Sequence, residues 1–462
     1  MQNYNFILNV DSYKTGHFLQ LPPNTQYVSS YIESRGSERG WKETVFFGLQ
    51  MFLKELEANP ITMTDVAEAE ELFKAHGVPF NYEGWKYIVY EYGGKLPISI
   101  KAVPEGTIVP TSNVLVQLRN TDPKVPWLTS YVETALLRSV WYPTTVATQS
   151  WRIKKLLKEY LVETSDKNAD EEVMFKLHDF GSRGVSSRES AGIGGVAHLV
   201  NFMGTDTVEA IVYARKYYDE PMAGFSIPAA EHSTITAWGG PEKEVDAYRN
   251  MIKQFAKPGA IVAIVGDSYD MYNAADNIFG GVLKEEIIAS GATIVVRPDS
   301  GDPVDVTLEV AELLMDNYGY TTNSKGFRVL PDCIRIIQGD GVNETSIERI
   351  LWTYEQAGIS TENIAFGMGG ALLQSYTRDT LKFAMKASAL MEDGIWRDVY
   401  KDPLTDPEKK SKPGRLALVD TSRGLKTVRE EDAAIDKLQE VFYNGKVQNV
   451  QTLSGIRDRS SR

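Results

Sequence analysis

The sequence is short of cysteine and of long apolar runs. Cys333 is the single cysteine among 462 residues, which excludes an intrachain disulfide and a zinc site built from several cysteines. Its position in the apolar run 333–337 favours a buried small hydrophobe over a nucleophile. The N-terminus lacks the basic region of a signal peptide, and no run of about 18 apolar residues occurs. We therefore expect a soluble, cytoplasmic protein without a membrane partner.

Positive charge is also scarce. The 49 Lys and Arg residues are outnumbered by 62 Asp and Glu residues, which gives a net charge of −13. A general nucleic-acid binder carries the opposite excess, so we expect no nucleic-acid partner. Hydrophobic residues make up 42% of the chain, as in an ordinary globular protein. A phosphate site in this chain must therefore be a local basic cluster.

The apolar pattern predicts a chain of two kinds of structure. In the first part it predicts strands at 26–32, 98–103 and 114–118 and helices at 46–56 and 126–161. From about residue 173, short apolar runs are each followed by a helix-like segment, at 175–180, 260–265, 292–296, 334–337 and 364–366. The last four are roughly 30 to 40 residues apart, the size of βα units in a parallel sheet or barrel. A strand at 415–419 and a hairpin at 441–447 follow.

These patterns predict an α/β fold in three segments. Residues 1–165 form a mixed α+β domain with a helical linker, and residues 166–385 form a parallel βα sheet or barrel, which the resemblance described below implies to be an irregular (β/α) barrel that carries catalysis. Residues 386–462 return to the N-terminal domain.

Polar residues follow four of the predicted strands. Asp267 and Asp270 follow the first, and the segments 297–301, 338–341 and 367–370 follow the next three. The carboxyl edge of a parallel sheet carries the active site in such folds, whereas one such loop alone is typical of an ordinary turn. The segment 367–372 nearly matches a dinucleotide fingerprint, but Leu372 replaces its third glycine. We interpret it as a glycine turn that binds a phosphate.

Two further features stay open on composition alone. His232 stands beside Glu231, Ser233 and Thr234, and is either a proton shuttle, a nucleophile or a structural histidine. Basic residues gather at 378–386 and 401–415, and are either a solvated surface or a site for a polyphosphate. No P-loop motif and no type I phosphoribosyltransferase signature occurs.

Several motifs together resemble the nicotinamide phosphoribosyltransferase family of NAD salvage. They are DSYK at 11–14, KLHDFGSRG at 176–184, HLVNFMGTDT at 198–207, PAAEHSTITAWG at 228–239, RPDSG at 297–301 and IQGDGV at 337–342. The resemblance extends from about residue 5 to 457 and implies a barrel of the type II phosphoribosyltransferase kind. It implies that nicotinamide and phosphoribosyl pyrophosphate give nicotinamide mononucleotide and pyrophosphate, with Mg²⁺ as cofactor, ATP as coupling substrate and a homodimer with shared active sites.

The resemblance assigns the base to a small set of residues. Phe180 and Tyr13, the latter from the other subunit, sandwich the pyridine ring, and Asp206 accepts a hydrogen bond from the carboxamide. Arg183 and Arg297 lie near the ring or the ribose phosphate, and Ser226 belongs to the substrate site.

The resemblance also assigns the phosphates and the metal. Asp299 contacts the ribose and, with Asp270, places Mg²⁺. The 5′-phosphate and ribose are cradled by Gly339, Asp340, Gly369 and Gly370. Pyrophosphate or the ATP phosphates are bound by Arg35, Arg378, Lys386, Lys401 and Lys409.

His232 is, by this resemblance, a histidine phosphorylated by ATP, and Glu231 orients its imidazole. The chain departs from its relatives at Ser182, Gly266, Met368 and Ala371, which we expect to affect affinity and not the reaction.

Three alternatives remain. A nicotinate phosphoribosyltransferase of the same fold is disfavoured by Asp206, whose charge repels an acid. A barrel enzyme for another sugar phosphate is the second alternative. A catalytically silent binding protein is disfavoured because His232, Asp299 and Phe180 are all present.

Overall fold

The computed structural model describes residues 5–405 and 409–461. Residues 406–408, which belong to the predicted basic segment 401–415, lie outside the described residues. The chain divides into two compact units. Unit 1 comprises the described residues of Met1–Thr148, Lys216–Glu220 and Tyr376–Arg462, and unit 2 comprises Gln149–Arg215 and Pro221–Ser375. The domain boundaries at 165 and 385 stay predictions.

The strands are short except at the centre of unit 1. In chain order they are β1 Thr25–Ser34, β2 Glu43–Val45, β3 Ile98–Ala102, β4 Ile108–Pro110, β5 Val114–Asn120, β6 Leu177–Asp179, β7 Gly204–Thr205, β8 Ile261–Val265, β9 Thr293–Arg297, β10 Thr321–Thr322, β11 Arg328–Val329, β12 Ile334–Gln338, β13 Ile364–Met368, β14 Phe383–Glu392, β15 Ile395–Asp398, β16 Leu416–Thr421, β17 Gly424–Arg429, β18 Gln439–Tyr443 and β19 Lys446–Val447.

The helices vary from one turn to ten turns. They are α1 Leu49–Ala58, α2 Met63–His76, α3 Tyr82–Tyr92, α4 Leu128–Thr164, α5 Ala169–Glu172, α6 Arg188–His198, α7 Val208–Tyr218, α8 His232–Thr236, α9 Glu244–Phe255, α10 Met271–Asn273, α11 Lys284–Ser290, α12 Pro303–Tyr318, α13 Glu344–Gln356, α14 Gly370–Leu373 and α15 Leu453–Ser460. A π-helix, Ala274–Val282, joins α10 to α11. Among the described residues, no helix is long and apolar enough to cross a bilayer.

Unit 1 is built on a seven-stranded antiparallel sheet in the order β15-β14-β1-β5-β3-β18-β19. The central strand β1 is rich in aromatic and β-branched residues and is buried along most of its length. It pairs with β14 on one side, and β3 pairs with β18. Strands from the C-terminal part of the chain therefore complete the N-terminal sheet.

Unit 2 is built on a six-stranded parallel sheet in the order β7-β6-β13-β12-β9-β8. Its strands are buried apolar runs, as expected where both faces are covered. The segment 225–229 contacts both edges, because Phe225 bridges to Gly204 and Ala229 bridges to Ala263. This segment closes the sheet into an irregular barrel, which confirms the predicted fold class.

The interior of the barrel is small and apolar. Ala263, Val295 and Ile337 form its buried cluster, and Phe180 and Ile227 pack against them. Because these residues fill the barrel, the polar residues lie beyond the strand ends.

Most predicted elements are confirmed with shifted bounds. The helix predicted from residue 46 begins only at Leu49, after Gly48 with a φ of +103°. A Cβ at Gly48 would lie 2.3 Å from Cγ of Pro143, inside α4. The start of the predicted helix was therefore wrong, since the close approach of α4 requires a glycine turn there.

Candidate active site

Five strands of unit 2 end at the same edge of the barrel. The loops after β6, β8, β9, β12 and β13 all leave the sheet at their carboxyl ends, because the strands are parallel. Residues far apart in sequence therefore meet at this edge, which we call the barrel edge.

His232 lies at the centre of the barrel edge. Its Nδ1 is 3.2 Å from Oγ of Ser268, and its Nε2 is 3.2 Å from Oδ2 of Asp299 and 3.7 Å from Oδ1 of Asp267. The imidazole is nearly half exposed, with 45% of its side-chain surface accessible. Both ring nitrogens are thus oriented while the ring stays open to a ligand.

The carboxylate of Glu231 is directed elsewhere. It accepts a short hydrogen bond from the hydroxyl of Ser233. The imidazole contacts Ser268, Asp299 and Asp267, so the role of Glu231 in orienting it stays a prediction.

Asp267 and Asp299 form a linked pair of carboxylates. The amide N–H of Asp299 donates to Oδ2 of Asp267 at 3.2 Å. The Asp267 side chain is 4% exposed, and within the described part of the chain its buried Oδ1 has no hydrogen-bond partner. The buried Oε1 of Gln338 is likewise without one. Unsatisfied buried oxygens suit a ligand that supplies a donor or a cation.

Asp270 occupies a different position from its predicted partner Asp299. It is exposed, and its Oδ1 accepts the N–H groups of Tyr272 and Asn273 at 3.0 Å each. It therefore caps α10 in the structure. Among the described residues, no group of three or more His, Cys, Asp or Glu side chains has an arrangement suited to a metal ion.

Arg297 stands at the end of β9. One of its terminal nitrogens is 3.8 Å from Oδ2 of Asp299, and its side chain is 15% exposed. Its buried Nε has no hydrogen-bond partner among the described residues. Arg183, on the 3₁₀ turn Ser182–Gly184, is fully at the surface of the same edge.

Phe180 is positioned by β13. Its N–H donates to the carbonyl of Met368 at 3.0 Å. Its ring lies directly on Gly367, where an added Cβ would be 1.8 Å from Cε2 of Phe180. Gly367 was not among the predicted site residues, although it stands in the predicted glycine turn.

Asp206 follows β7 and is attached to the end of β6 through the β6–β7 pairing. Its N–H donates to the carbonyl of Asp179 at 2.9 Å, and its Oδ1 accepts a short hydrogen bond from Ser226. Burial, assisted by the charge of Asp206, raises the pKa of Asp179 to about 6. Burial lowers the pKa of His178. Two carboxyl groups, Asp179 and Asp206, therefore lie at this position, and the Asp206 side chain is the exposed one.

The predicted phosphate residues lie on two neighbouring turns. Gly339 follows β12, and a Cβ there would lie 2.9 Å from Oδ1 of Asp299. The carbonyl of Asp340 accepts from Nε2 of the buried Gln338 at 2.8 Å. Gly369 and Gly370 follow β13 and open α14. The absence of a side chain at Gly339 therefore allows the carboxylate of Asp299 to lie close to this turn.

The remaining predicted residues lie in unit 1. Arg35, Arg378, Lys386, Lys401 and Lys409 line one cavity of about 200 Å³, which we call the basic pocket. Burial, with the charges of Arg35, Lys14 and Lys401, lowers the pKa of Lys386, and the carboxylate of Glu133 opposes this shift. Tyr13, on the 3₁₀ helix Ser12–Leu19, is 64% exposed.

The structure thus groups the predicted residues into two sets. The barrel edge holds His232, Glu231, Asp299, Asp270, Phe180, Arg183, Asp206, Ser226, Arg297, Gly339, Asp340, Gly369 and Gly370, and unit 1 holds Tyr13 and the basic pocket. The sequence did not single out Asp267, Ser268, Gln338 or Glu133 as site residues. The positions of Asp267 and Gln338 after predicted strands gave the signal for these two residues.

Comparison with known proteins identifies the family of this chain. Residues 175–446 match the nicotinate phosphoribosyltransferase (NAPRTase) family, and residues 5–100 match the nicotinamide phosphoribosyltransferase N-terminal domain. The chain is 54% identical to a nicotinamide phosphoribosyltransferase of Xanthomonas campestris, over 98% of this chain and 97% of that one. It is 33% identical to one of Acinetobacter baylyi, over 97% and 96%.

Solved structures show the same fold at low identity. A nicotinate-nucleotide pyrophosphorylase from Pyrococcus furiosus has a TM-score of 0.65 at 16% identity, with 100% of this chain and 97% of that chain covered. Human nicotinic acid phosphoribosyltransferase has a TM-score of 0.59 at 15% identity, with 98% and 92% covered. The chain belongs to the nicotinate phosphoribosyltransferase (NAPRTase) family and resembles, within it, the nicotinamide phosphoribosyltransferases.

Proposed function

We propose that this protein transfers phosphoribosyl from phosphoribosyl pyrophosphate to nicotinamide, giving nicotinamide mononucleotide and pyrophosphate in NAD salvage. The observation that carries this proposal is the hydrogen bond from the N–H of Asp206 to the carbonyl of Asp179, the residue before Phe180, which attaches the exposed Asp206 to the end of the strand that Phe180 follows. A flat ring stacked on Phe180 has its substituent near a carboxylate. A carboxamide donates to that carboxylate, whereas the carboxylate of nicotinate is repelled.

The sugar is proposed to lie between the base and the turns at 339–340 and 369–370. Asp299 faces the ribose across the bare backbone of Gly339. The partly buried guanidinium of Arg297 supplies positive charge to the ribose phosphate. Holding the sugar against the stacked ring brings the ring nitrogen to the anomeric carbon, which lowers the entropic part of the barrier. The carbon–nitrogen bond forms as the bond to pyrophosphate breaks.

Pyrophosphate or the ATP phosphates are proposed to bind the basic pocket. Its five cations, Arg35, Arg378, Lys386, Lys401 and Lys409, suit the charge that grows on the leaving group. The half-buried position of Lys386 strengthens its attraction for an anion, since water screens it less.

A magnesium ion is proposed to bind at the barrel edge, held by few carboxylates together with substrate phosphates. Asp299 was predicted to hold it with Asp270, and the unpartnered Oδ1 of Asp267 offers a further hard oxygen beside Asp299. Magnesium is commonly held by one or two carboxylates together with substrate phosphates. When bound, the ion supplies positive charge to the pyrophosphate oxygens.

We propose further that ATP drives the synthesis through His232. A ring nitrogen attacks the γ-phosphorus of ATP, ADP leaves, and later hydrolysis of the phosphohistidine releases phosphate. The open imidazole, oriented by Ser268 and Asp299, supports this role. Glu231 is proposed to assist from the preceding position.

Product analysis tests the transfer. Purified protein is incubated with phosphoribosyl pyrophosphate, Mg²⁺ and either nicotinamide or nicotinate, with and without ATP, and the products are separated by chromatography and mass. We expect nicotinamide mononucleotide from nicotinamide. Formation of nicotinate mononucleotide alone would support the alternative of a nicotinate enzyme and contradict the proposal.

His232→Ala tests the ATP coupling. We expect it to abolish ATP hydrolysis and the gain in product that ATP gives, while slow transfer without ATP persists, because stacking on Phe180 does not use the imidazole. His76→Ala, an exposed histidine on α2, is the matched control and keeps full coupling. ATP turnover retained in His232→Ala would remove the phosphohistidine from the proposal.

A further inference from the structure

We propose that Glu133 is a positioning residue that links the basic pocket to Tyr13. The proposal rests on the function above, in which the pocket binds pyrophosphate and Tyr13 stacks on nicotinamide. Glu133 lies on α4 in unit 1, where its carboxylate lines the basic pocket and contacts Lys14, the residue after Tyr13.

Glu133 has an unusual place in the basic pocket. Among the described residues that line the cavity it is the acid, whereas the other charged residues are Arg35, Arg378, Lys386, Lys401 and Lys409. Its charge raises the pKa of Lys386 against the effect of burial. A carboxylate in a pocket for anions weakens anion binding through like-charge repulsion. Its presence therefore needs a reason other than affinity for phosphate.

That reason is Lys14. Oε2 of Glu133 accepts from Nζ of Lys14 at 2.7 Å, and the Lys14 side chain is only 3% exposed. A buried ammonium needs a nearby counter-charge. The same Nζ lies 5.1 Å from the centre of the Tyr13 ring. Lys14 thus joins the carboxylate of Glu133 to the face of Tyr13 by a cation–π contact.

Two further contacts hold the same segment to α4. Oγ1 of Thr134 donates to Oδ2 of Asp11 at 2.6 Å, and Oγ of Ser130 lies 2.6 Å from Nδ1 of His17. Positions 130, 133 and 134 share one face of the helix, because they are three or four residues apart. The segment 11–17 is therefore attached at three points, of which only Glu133 also borders the basic pocket.

This arrangement gives Glu133→Gln two effects of opposite sign. The amide is nearly isosteric but carries no charge, so the basic pocket loses its repulsive carboxylate and Lys14 loses its counter-ion. Pyrophosphate then binds more tightly. The contact between Lys14 and the Tyr13 ring weakens at the same time, and nicotinamide binds less tightly. Simple damage to the fold would weaken both ligands.

Titration calorimetry of the full-length protein, with inorganic pyrophosphate and nicotinamide as separate probes, tests this. For Glu133→Gln we expect the Kd for pyrophosphate to fall and the Kd for nicotinamide to rise, each on the order of threefold. Thr134→Val is the matched control, since it loosens the same segment without a change in charge. It is expected to raise the Kd for nicotinamide and leave that for pyrophosphate unchanged.

Other outcomes contradict either the role of Glu133 or the proposed transfer, and the two failures can be told apart. If the Kd values for pyrophosphate and nicotinamide both rise in Glu133→Gln, or if neither changes, Glu133 has only a structural role. If the wild type does not bind pyrophosphate, both the pocket's assignment and this inference are wrong. If the Kd for pyrophosphate falls and the Kd for nicotinamide rises as expected, but product analysis finds no nicotinamide mononucleotide, the role of Glu133 stands and only the proposed transfer is wrong.

Discussion

Gly367 shows how closely one residue can determine a binding surface. It lies under the ring of Phe180, and the space of a single methyl group is already taken by that ring. Core substitutions that add a methyl group to filled space cost about 1–3 kcal/mol and move the neighbours. Here the neighbour is Phe180, on which nicotinamide is proposed to stack, so a displaced ring is expected to weaken the binding of nicotinamide.

Gly367→Ala should therefore displace Phe180. We expect the KM for nicotinamide to rise by about tenfold, in proportion to such a cost. Initial rates at varied nicotinamide measure this. Gly281→Ala is the control, because that glycine is exposed and its added Cβ would find its nearest neighbour at an ordinary 3.7 Å. An unchanged KM in Gly367→Ala would mean that the Phe180 ring does not hold the base.

At this scale the sequence predicts residue types and not their contacts. The motifs pointed to His232 and Asp299 separately, and the structure brings them to 3.2 Å. Asp267 was predicted only as a loop residue, because nothing in its neighbourhood shows that Oδ1 is buried and unpartnered. Glu133 lies within a helical pattern, and its partner Lys14 is 119 residues away. Contacts over such distances have no local signal.

At the scale of elements, Glu105 joins three parts of unit 1. Its Oε1 accepts the N–H of Gln50 at the start of α1, and its Oε2 accepts the hydroxyl of Tyr218, each at 2.8 Å. Arg459 on α15 donates a short hydrogen bond to the Glu105 carbonyl. Burial raises the pKa of the Glu105 carboxyl from 4.5 to about 7, with hydrogen bonds and Arg459 opposing the shift.

This shift predicts a pH-dependent stability. The folded pKa lies above the unfolded one, so folding favours the protonated acid. The associated stability is full below about pH 4.5 and is lost as the pH rises to about 7. The change in the free energy of unfolding over this range is about 3 kcal/mol, at 1.36 kcal/mol per pKa unit.

Glu105→Gln removes the titration and keeps an oxygen and a nitrogen for Gln50 and Tyr218. The quantity of interest is the melting temperature of Glu105→Gln minus that of wild type. We expect this difference to become more positive as the pH rises from 5 to 8, because only wild type loses the stability associated with protonated Glu105. Differential scanning fluorimetry of both proteins across this range measures the difference. A difference that is constant with pH would show that Glu105 does not titrate there.

The sequence predicts the elements of the barrel well and its closure poorly. Strands β8, β9, β12 and β13 coincide with the predicted apolar runs, since a strand buried on both faces is apolar at every position. The segment 225–229 closes the barrel through isolated bridges at Phe225 and Ala229 and has no strand pattern of its own. The start of α1 depends on Pro143 of another helix, which no local pattern contains.

At the scale of the whole molecule, the proposed stacking residues belong to different units. Phe180 lies in unit 2 and the exposed Tyr13 lies in unit 1. The family resemblance implies that Tyr13 acts in the active site of a second subunit. In a two-fold dimer each site would then combine Phe180 of one chain with Tyr13 of the other.

Mixing two inactive variants tests this sharing. Homodimers of Tyr13→Ala or of Phe180→Ala have no complete sandwich. In a mixed dimer one site carries both substitutions and the other carries neither. With random pairing about half of the dimers are mixed, so co-refolding should restore activity to roughly a quarter of wild type. No recovery despite demonstrated subunit exchange would place Tyr13 outside a shared site.

The choice of base is the central claim, and Asp206→Asn tests it most directly. The measurement is the ratio of kcat/KM for nicotinamide to kcat/KM for nicotinate in wild type and variant, with phosphoribosyl pyrophosphate and Mg²⁺ saturating. The asparagine still hydrogen-bonds the carboxamide but no longer repels an acid, so we expect nicotinamide use to weaken and the ratio to fall by about tenfold or more. A ratio that is the same in both proteins would show that Asp206 does not select the base, and would contradict the account.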